Sequence, residues 1–185
     1  AQQQAFALGH DPEHVFLTSG MVMKASFYEA PRIDRAQERR KLGLDAGLPT
    51  GIVLFGGHGS STILKIARKL GETESKLQLI LICGKNQKLL DAAKQLRSRI
   101  PIHAVGFTPE VDYYMALSDF FIGKPGPGSI SEALQFHLPV IVECNGRTLP
   151  QERYNAQWIS EGKLGIVLSD FSKIDRAVEQ MLEPQ

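Results

Sequence analysis

From Gly51 onward, short apolar runs alternate with longer amphipathic stretches. The apolar runs fall at residues 52–55, 77–83, 102–105, 120–122, 139–142 and 165–168. They are continuous, rich in branched residues and show no alternation of polarity. Runs of this kind suit strands covered on both faces, as in a parallel sheet. Between them, residues 62–70, 87–96, 150–160 and 172–182 read as helices, as does a stretch ending near Phe136. A further helix is expected to open at Thr108-Pro109-Glu110, with Thr108 as cap and Pro109 at the first helical position. Strand and helix alternate about six times. The pattern predicts an α/β fold with a doubly wound, mostly parallel Rossmann-like sheet of about six strands.

The first 50 residues are less regular. Residues 2–8 suit a short helix, and Val15-Phe16-Leu17 suits a short strand. A polar stretch ends at Pro31-Arg32. Residues 34–42 read as a charged helix, closed by Gly43 at its carboxyl end. Residues 1–49 are therefore expected to be an N-terminal extension and linker, and residues 50–185 the domain proper. The chain opens on Ala1-Gln2-Gln3-Gln4 rather than Met, so the natural N-terminus is expected upstream.

Composition narrows the function classes. Of 185 residues, 43% are hydrophobic and 22% charged, within the range of globular domains. With 21 basic and 20 acidic residues, the net charge of +1 creates no overall attraction to nucleic acid or to an anionic membrane. Cys83 and Cys144 each end an apolar run. Such cysteines are usually small buried hydrophobes, and the usage suits a reducing compartment. No apolar stretch reaches transmembrane length. His10, His14, His103 and His137 have no partners at metal-ligand spacing, so no metal site is expected.

In doubly wound sheets, ligands bind beyond the carboxyl ends of the strands. Three loops there carry unusual residues. Gly56-Gly57-His58-Gly59-Ser60-Ser61 follows the first core strand. It suits an anion held by a helix N-terminus, or simply a tight turn that needs glycines. It is neither a P-loop nor a GxGxxG fingerprint. Gly123 to Ser129 combines three glycines with two prolines and leads into a helix that could hold a diphosphate. Glu132 lies one turn on, where a carboxylate suits a ribose diol. Ser129-x-x-Glu132 is equally a capping box, in which both side chains serve only the helix end. Lys124 could pair with phosphate, although a lone lysine is usually solvated. In the third loop, Pro150 sets a helix start, Gln151 and Asn155 share a face, and Glu152 adjoins them. These donors and acceptors fit sugar hydroxyls, and they also fit an ordinary polar helix start. The inner face of that helix is expected at Tyr154, Trp158 and Ile159. Gly106-Phe107-Thr108 places a ring and free backbone groups at the same edge. A base could stack on Phe107, or the ring could plug the core.

The run GKPGPGSISEALQFHLPVIVECNGRTLPQERYNAQWISEGKLGIVL resembles the C-terminal donor domain of B-type-fold glycosyltransferases, as do FGGHGS, ICGKN and VGFTPEVDYYMALSDFFI in the same order. Within that group the chain is most similar to monogalactosyldiacylglycerol synthases and processive diacylglycerol glucosyltransferases. The resemblance spans residues 50–170, and residues 14–45 resemble the interdomain linker in weaker form. Gly123 stands where a small polar residue is common, and Ser129 where Thr is usual. The resemblance implies that the chain is the donor half of an inverting UDP-hexose-dependent transferase with a diacylglycerol-type lipid acceptor. It implies that Gly57, His58, Gly59, Gly126, Gly128 and Ser129 hold the diphosphate. The main chain at Phe107 would read the uracil and Glu132 would bind the ribose. Gln151 and Glu152, with Asn155 behind them, would hold the hexose. No cofactor and no donor-bound metal are implied. The lipid-binding half and the catalytic base would precede residue 1, and this chain alone would not turn over. The full-length protein is expected in the cytoplasm, peripheral to the inner face of the membrane. Within the same fold, a UDP-sugar 2-epimerase or a non-catalytic nucleotide-sugar-binding module remain alternatives.

Overall fold

The computed structural model describes residues 2–17, 21–29 and 33–183. Six strands form one sheet: β1 (Thr50–Leu54), β2 (Gln78–Ile82), β3 (Ile102–Val105), β4 (Phe120–Gly123), β5 (Val140–Glu143) and β6 (Gly165–Leu168). All pairings are parallel, in the order β3-β2-β1-β4-β5-β6. The expected doubly wound sheet is the one observed. The chain runs outward from β1 to β3, then returns to lay β4 on the other side of β1. That reversal opens a crevice beyond the carboxyl ends of β1 and β4.

Helices cover both faces. The described helices are α1 (Gln2–Ala7), which buries no residue, α2 (Ala25–Tyr28), α3 (Arg35–Lys41), α4 (Thr62–Gly71), α5 (Gln87–Lys94), α6 (Val111–Ala116), α7 (Pro127–Gln135), α8 (Pro150–Glu161) and α9 (Ile174–Leu182). Strand residues alternate between two cores. Val53, Leu79, Leu81, Phe120, Ile122 and Ile141 face α4, α5 and α9. Ile52, Leu54, Ile80, Ile82, Phe121 and Val140 face α6, α7 and α8. Both sets are apolar, which is why the runs show no period of two. In α4 the buried Ile63, Ile66, Ala67 and Leu70 recur at helical spacing, so one stripe meets the sheet.

The segment before β1 is anchored at the amino ends of the strands. Asp34 caps α3 by accepting from the Gln37 amide. Gly43 ends α3 in the left-handed region (φ 73°). Leu44 N–H donates to Arg39 C=O and Gly43 N–H to Arg40 C=O, the paired bonds of a Schellman turn. Arg39 is buried and bonds the carbonyls of Leu117, Ala46 and Leu48 as well as Asp119. The buried Gln78 side chain bonds Asp45 through both N–H and C=O. Phe27 packs edge-on against Phe136 at 6.1 Å.

Three expectations change. Val15-Phe16-Leu17 forms no strand: it follows a 3-10 turn at Pro12–His14, and Phe16 and Leu17 are exposed. The helix expected at Thr108 starts at Val111, because the Thr108 hydroxyl accepts from the Glu110 amide in a separate turn. The inner face of α8 is Glu152, Ala156 and Ile159, whereas Tyr154 and Trp158 face outward. Of the polar stretch ending at Pro31-Arg32, residues 18–20 and 30–32 lie outside the described residues.

Candidate functional site

The loop after β1 is held from two sides. Gly59 N–H donates to Gly56 C=O, closing a turn in which Gly56 (φ 75°) and Gly59 (φ 67°) are left-handed. Gly57 C=O accepts from the Lys85 amide, which stitches the loop to the one after β2. Two of the glycines thus answer to backbone geometry. Gly57 does not: a methyl there would meet nothing closer than the Phe107 ring, at 4.0 Å. Its smallness serves the space in front of it. His58 is exposed in the same loop.

The loop after β4 leads into α7, which Gly126 caps without any side-chain bond. Pro127 occupies the first helical position, and Ile130 N–H donates the first intrahelical bond, to Gly126. The amides of Gly128 and Ser129 therefore emerge unpaired by the helix. Ser129 lies inside α7 rather than at its cap, and its hydroxyl reaches only Gly126 C=O, at 3.4 Å. This corrects the capping-box alternative. Glu132, about one and a half turns into α7, has no capping duty.

The structure brings four of the expected residues around one cleft of about 250 Å³. Gly57, Phe107, Ser129 and Glu132 line it, together with Gly56, Gly84 and Thr108 and the strand ends at Leu54 and Ile82. Phe107 is 61% exposed, so it is not a core plug. The Lys85 ammonium lies 5.0 Å from its ring centroid. Glu132 is partly buried, and this desolvation is the main reason its carboxyl sits above the usual range. Lys24 pulls in the opposite direction and Asp112 adds to the rise.

A second group forms beside α7. The Lys124 ammonium donates to Glu152 Oε1 at 2.9 Å. The Asn155 amide donates to Pro125 C=O at 2.8 Å, tying α8 to the glycine-rich loop. Asn155 is thus turned to the loop, and Gln151 is exposed. Sequence reasoning missed Gly84 at the cleft, whereas Thr108 lies where the Gly106-Phe107-Thr108 segment was expected. Gly84 lies in the middle of the ICGKN segment, just after the apolar run of β2, and a glycine there was the available signal. It also gave no protein partner for Lys124, which meets Glu152. Among the described residues, no group of three or more His, Cys, Asp or Glu could hold a metal ion. Among the same residues no helix is long and apolar enough to cross a membrane.

Known proteins resemble the chain in sequence and fold. Monogalactosyldiacylglycerol synthase of Spinacia oleracea is 32% identical over 173 residues, covering 90% of this chain and 33% of its own length. The chain thus spans about a third of the curated relatives it matches. The glycosyltransferase WaaG superposes with a TM-score of 0.64 at 17% identity, over 99% of this chain and 52% of its own. Anabaena HepE, solved in complex with UDP-glucose, gives 0.50 at 17% identity, over 89% and 53%. At that identity the two structures establish a shared fold. The model of the glycosyltransferase family 28 C-terminal domain matches residues 52–184, and the chain belongs to that family.

Proposed function

We propose that this chain is the donor-binding domain of an inverting UDP-hexose-dependent glycosyltransferase with a diacylglycerol-type lipid acceptor. The observation that carries the reading is Glu132. A partly buried carboxylate, free of any role in capping its helix, faces a cleft lined by glycines and an aromatic ring. Such a group costs stability and fits a pair of adjacent hydroxyls. The cleft volume lies just under the roughly 300–1,000 Å³ of ligand pockets, which suits a nucleoside with its phosphates reaching outward. In this reading the Phe107 main chain meets the uracil and Glu132 the ribose. The loops at Gly57, His58 and Gly59 and at Gly126, Gly128 and Ser129 take the diphosphate. Gln151 and Glu152 contact the hexose, and Asn155 holds the loop in place. The amino ends of α4 and α7 then stabilise the charge that develops on the departing diphosphate. The lipid and the base that activates its hydroxyl belong to sequence outside these residues. The full-length protein acts at the inner face of the membrane.

Calorimetry and melting with millimolar UDP and a chelator test this. Binding is expected without metal. Ligand at a hundred times its Kd adds about 2.7 kcal/mol, or roughly 5–10 °C in Tm. UMP should compete and AMP should not. No heat and no shift would sink the reading.

Glu132→Gln gives a second test. A carboxyl raised above its unfolded value contributes stability that is full below the unfolded pKa and lost as pH rises through the folded pKa. At pH 7 the ionised group is therefore a cost. The variant is expected to melt slightly higher than wild type at pH 7, by less than about 1 kcal/mol, with the gap closing at acid pH. Its UDP affinity should fall about tenfold or more, from the loss of charge-assisted hydrogen bonds. A variant that melts lower but binds UDP normally would make Glu132 a structural residue.

A further inference from the structure

Lys124 directly follows β4, on the loop that leads to the cleft-lining Ser129, and its pairing with Glu152 is lopsided. The Glu152 side chain is 10% exposed, whereas that of Lys124 is 45% exposed. A methyl group at Gly126 would lie 3.5 Å from Ser129 Oγ, 3.6 Å from Lys124 Cε and 3.7 Å from Glu152 Oε1. The lysine stem, the buried carboxylate and the serine hydroxyl thus surround the residue that caps α7. That end of α7 has no side-chain cap, and the Gly128 and Ser129 amides emerge there. A bare carboxylate at this place would repel any anion brought to the helix end. The lysine cancels that charge. An ammonium has three donors, and Glu152 engages one, which leaves N–H groups on the open side.

We propose that Lys124 is a diphosphate-binding residue, held by Glu152 so that its ammonium neutralises phosphoryl charge beside the amino end of α7. The proposal rests on the UDP reading above and deepens it by naming the cation that the diphosphate meets. During transfer the same ammonium lies on the leaving group. There the charge it faces grows as the bond from the anomeric carbon to the diphosphate oxygen breaks.

Lys124→Met alone strands a buried carboxylate and can unfold the chain. The decisive variant is the double Lys124→Met/Glu152→Gln, which removes both charges at similar volume. Its affinities for UDP and for uridine are measured at low and high salt. The expected result is a loss of UDP affinity of about tenfold, as for a charge-assisted hydrogen bond, with uridine binding unchanged and a shallower salt dependence for UDP. Lys124→Arg should keep most of the UDP affinity. A measurement on the wild-type chain needs no variant: the Lys124 side-chain NMR resonances should shift on adding UDP and stay in place on adding uridine. If the double variant keeps the wild-type ratio of UDP to uridine affinity, or if those resonances ignore UDP, Lys124 only neutralises Glu152 and the proposal is wrong. If the wild-type chain binds no UDP, the functional reading fails and this one with it. UDP binding with an unchanged ratio overturns this one alone.

Discussion

Arg39→Ala is expected to destabilise the domain by about 3–5 kcal/mol, the cost of breaking a buried charge network from one side. The side chain is almost wholly buried. Its Nε and Nη2 reach the Leu117 carbonyl at 2.9 and 2.8 Å, and Nη1 reaches Ala46 and Leu48 at 3.3 Å. It pairs with Asp119 at 2.7 Å, and Asp119 in turn accepts from the Thr50 amide at the start of β1. Truncation leaves buried carbonyls without donors and Asp119 without the buried one of its two cations, so the loss exceeds that of an ordinary ion pair. Arg35 makes the contrast. It reaches the other Asp119 oxygen at the same distance but is 47% exposed. Arg35→Ala should therefore cost less than about 1 kcal/mol. Urea unfolding checks both. With a slope near 2 kcal/mol/M, the Arg39 variant should lose roughly 2 M in midpoint. A midpoint close to wild type would mean that residues 34–48 are a detachable linker.

Gly59→Ala should cost about 2–5 kcal/mol and abolish UDP binding. The left-handed backbone there penalises any Cβ by about 1–2 kcal/mol. The new methyl would also press on the Cys83 carbonyl and lie 2.9 Å from Leu89 Cδ2. Overpacking of that kind costs about 1–3 kcal/mol more. The strain is relieved by moving the loop, and the loop carries the amides proposed to meet the diphosphate. Gly57→Ala separates the two effects, because its methyl has room in the fold and intrudes only on the cleft. It should melt like wild type and bind UDP more weakly. Melting and titration on the same samples distinguish them. A Gly59 variant that binds UDP normally would remove this loop from the site.

The strands were legible because both faces of this sheet are covered. Residues such as Ile80 and Leu81 face different cores, and both must be apolar. The glycine loops were legible because few other needs place Gly, His and Ser together after a strand. Pairings across the chain were not. Lys124 and Glu152 stand 28 residues apart, Arg39 and Asp119 stand 80 apart, and neither pair leaves a local pattern. The same blindness explains the misread face of α8. Trp158 carries the apolar weight, yet the buried positions go to Ala156, Ile159 and Glu152. A charged residue can take an inner position there only because a lysine from another loop meets it. The start of α6 was misplaced for a local reason: Thr108 and Pro109 can form a turn as readily as a helix cap.

The network at Arg39, Asp119 and Gln78 grips the amino ends of the strands, whereas the cleft opens at their carboxyl ends. The five residues of β1 between them span roughly 15 Å. At that separation, with no shared partner, free energies of substitution add. Affinity and robustness are therefore independently tunable in this domain. An Arg39 variant that remains folded in the cold should bind UDP with wild-type strength, and a stabilised amino edge could absorb the cost of any cleft redesigned for another donor.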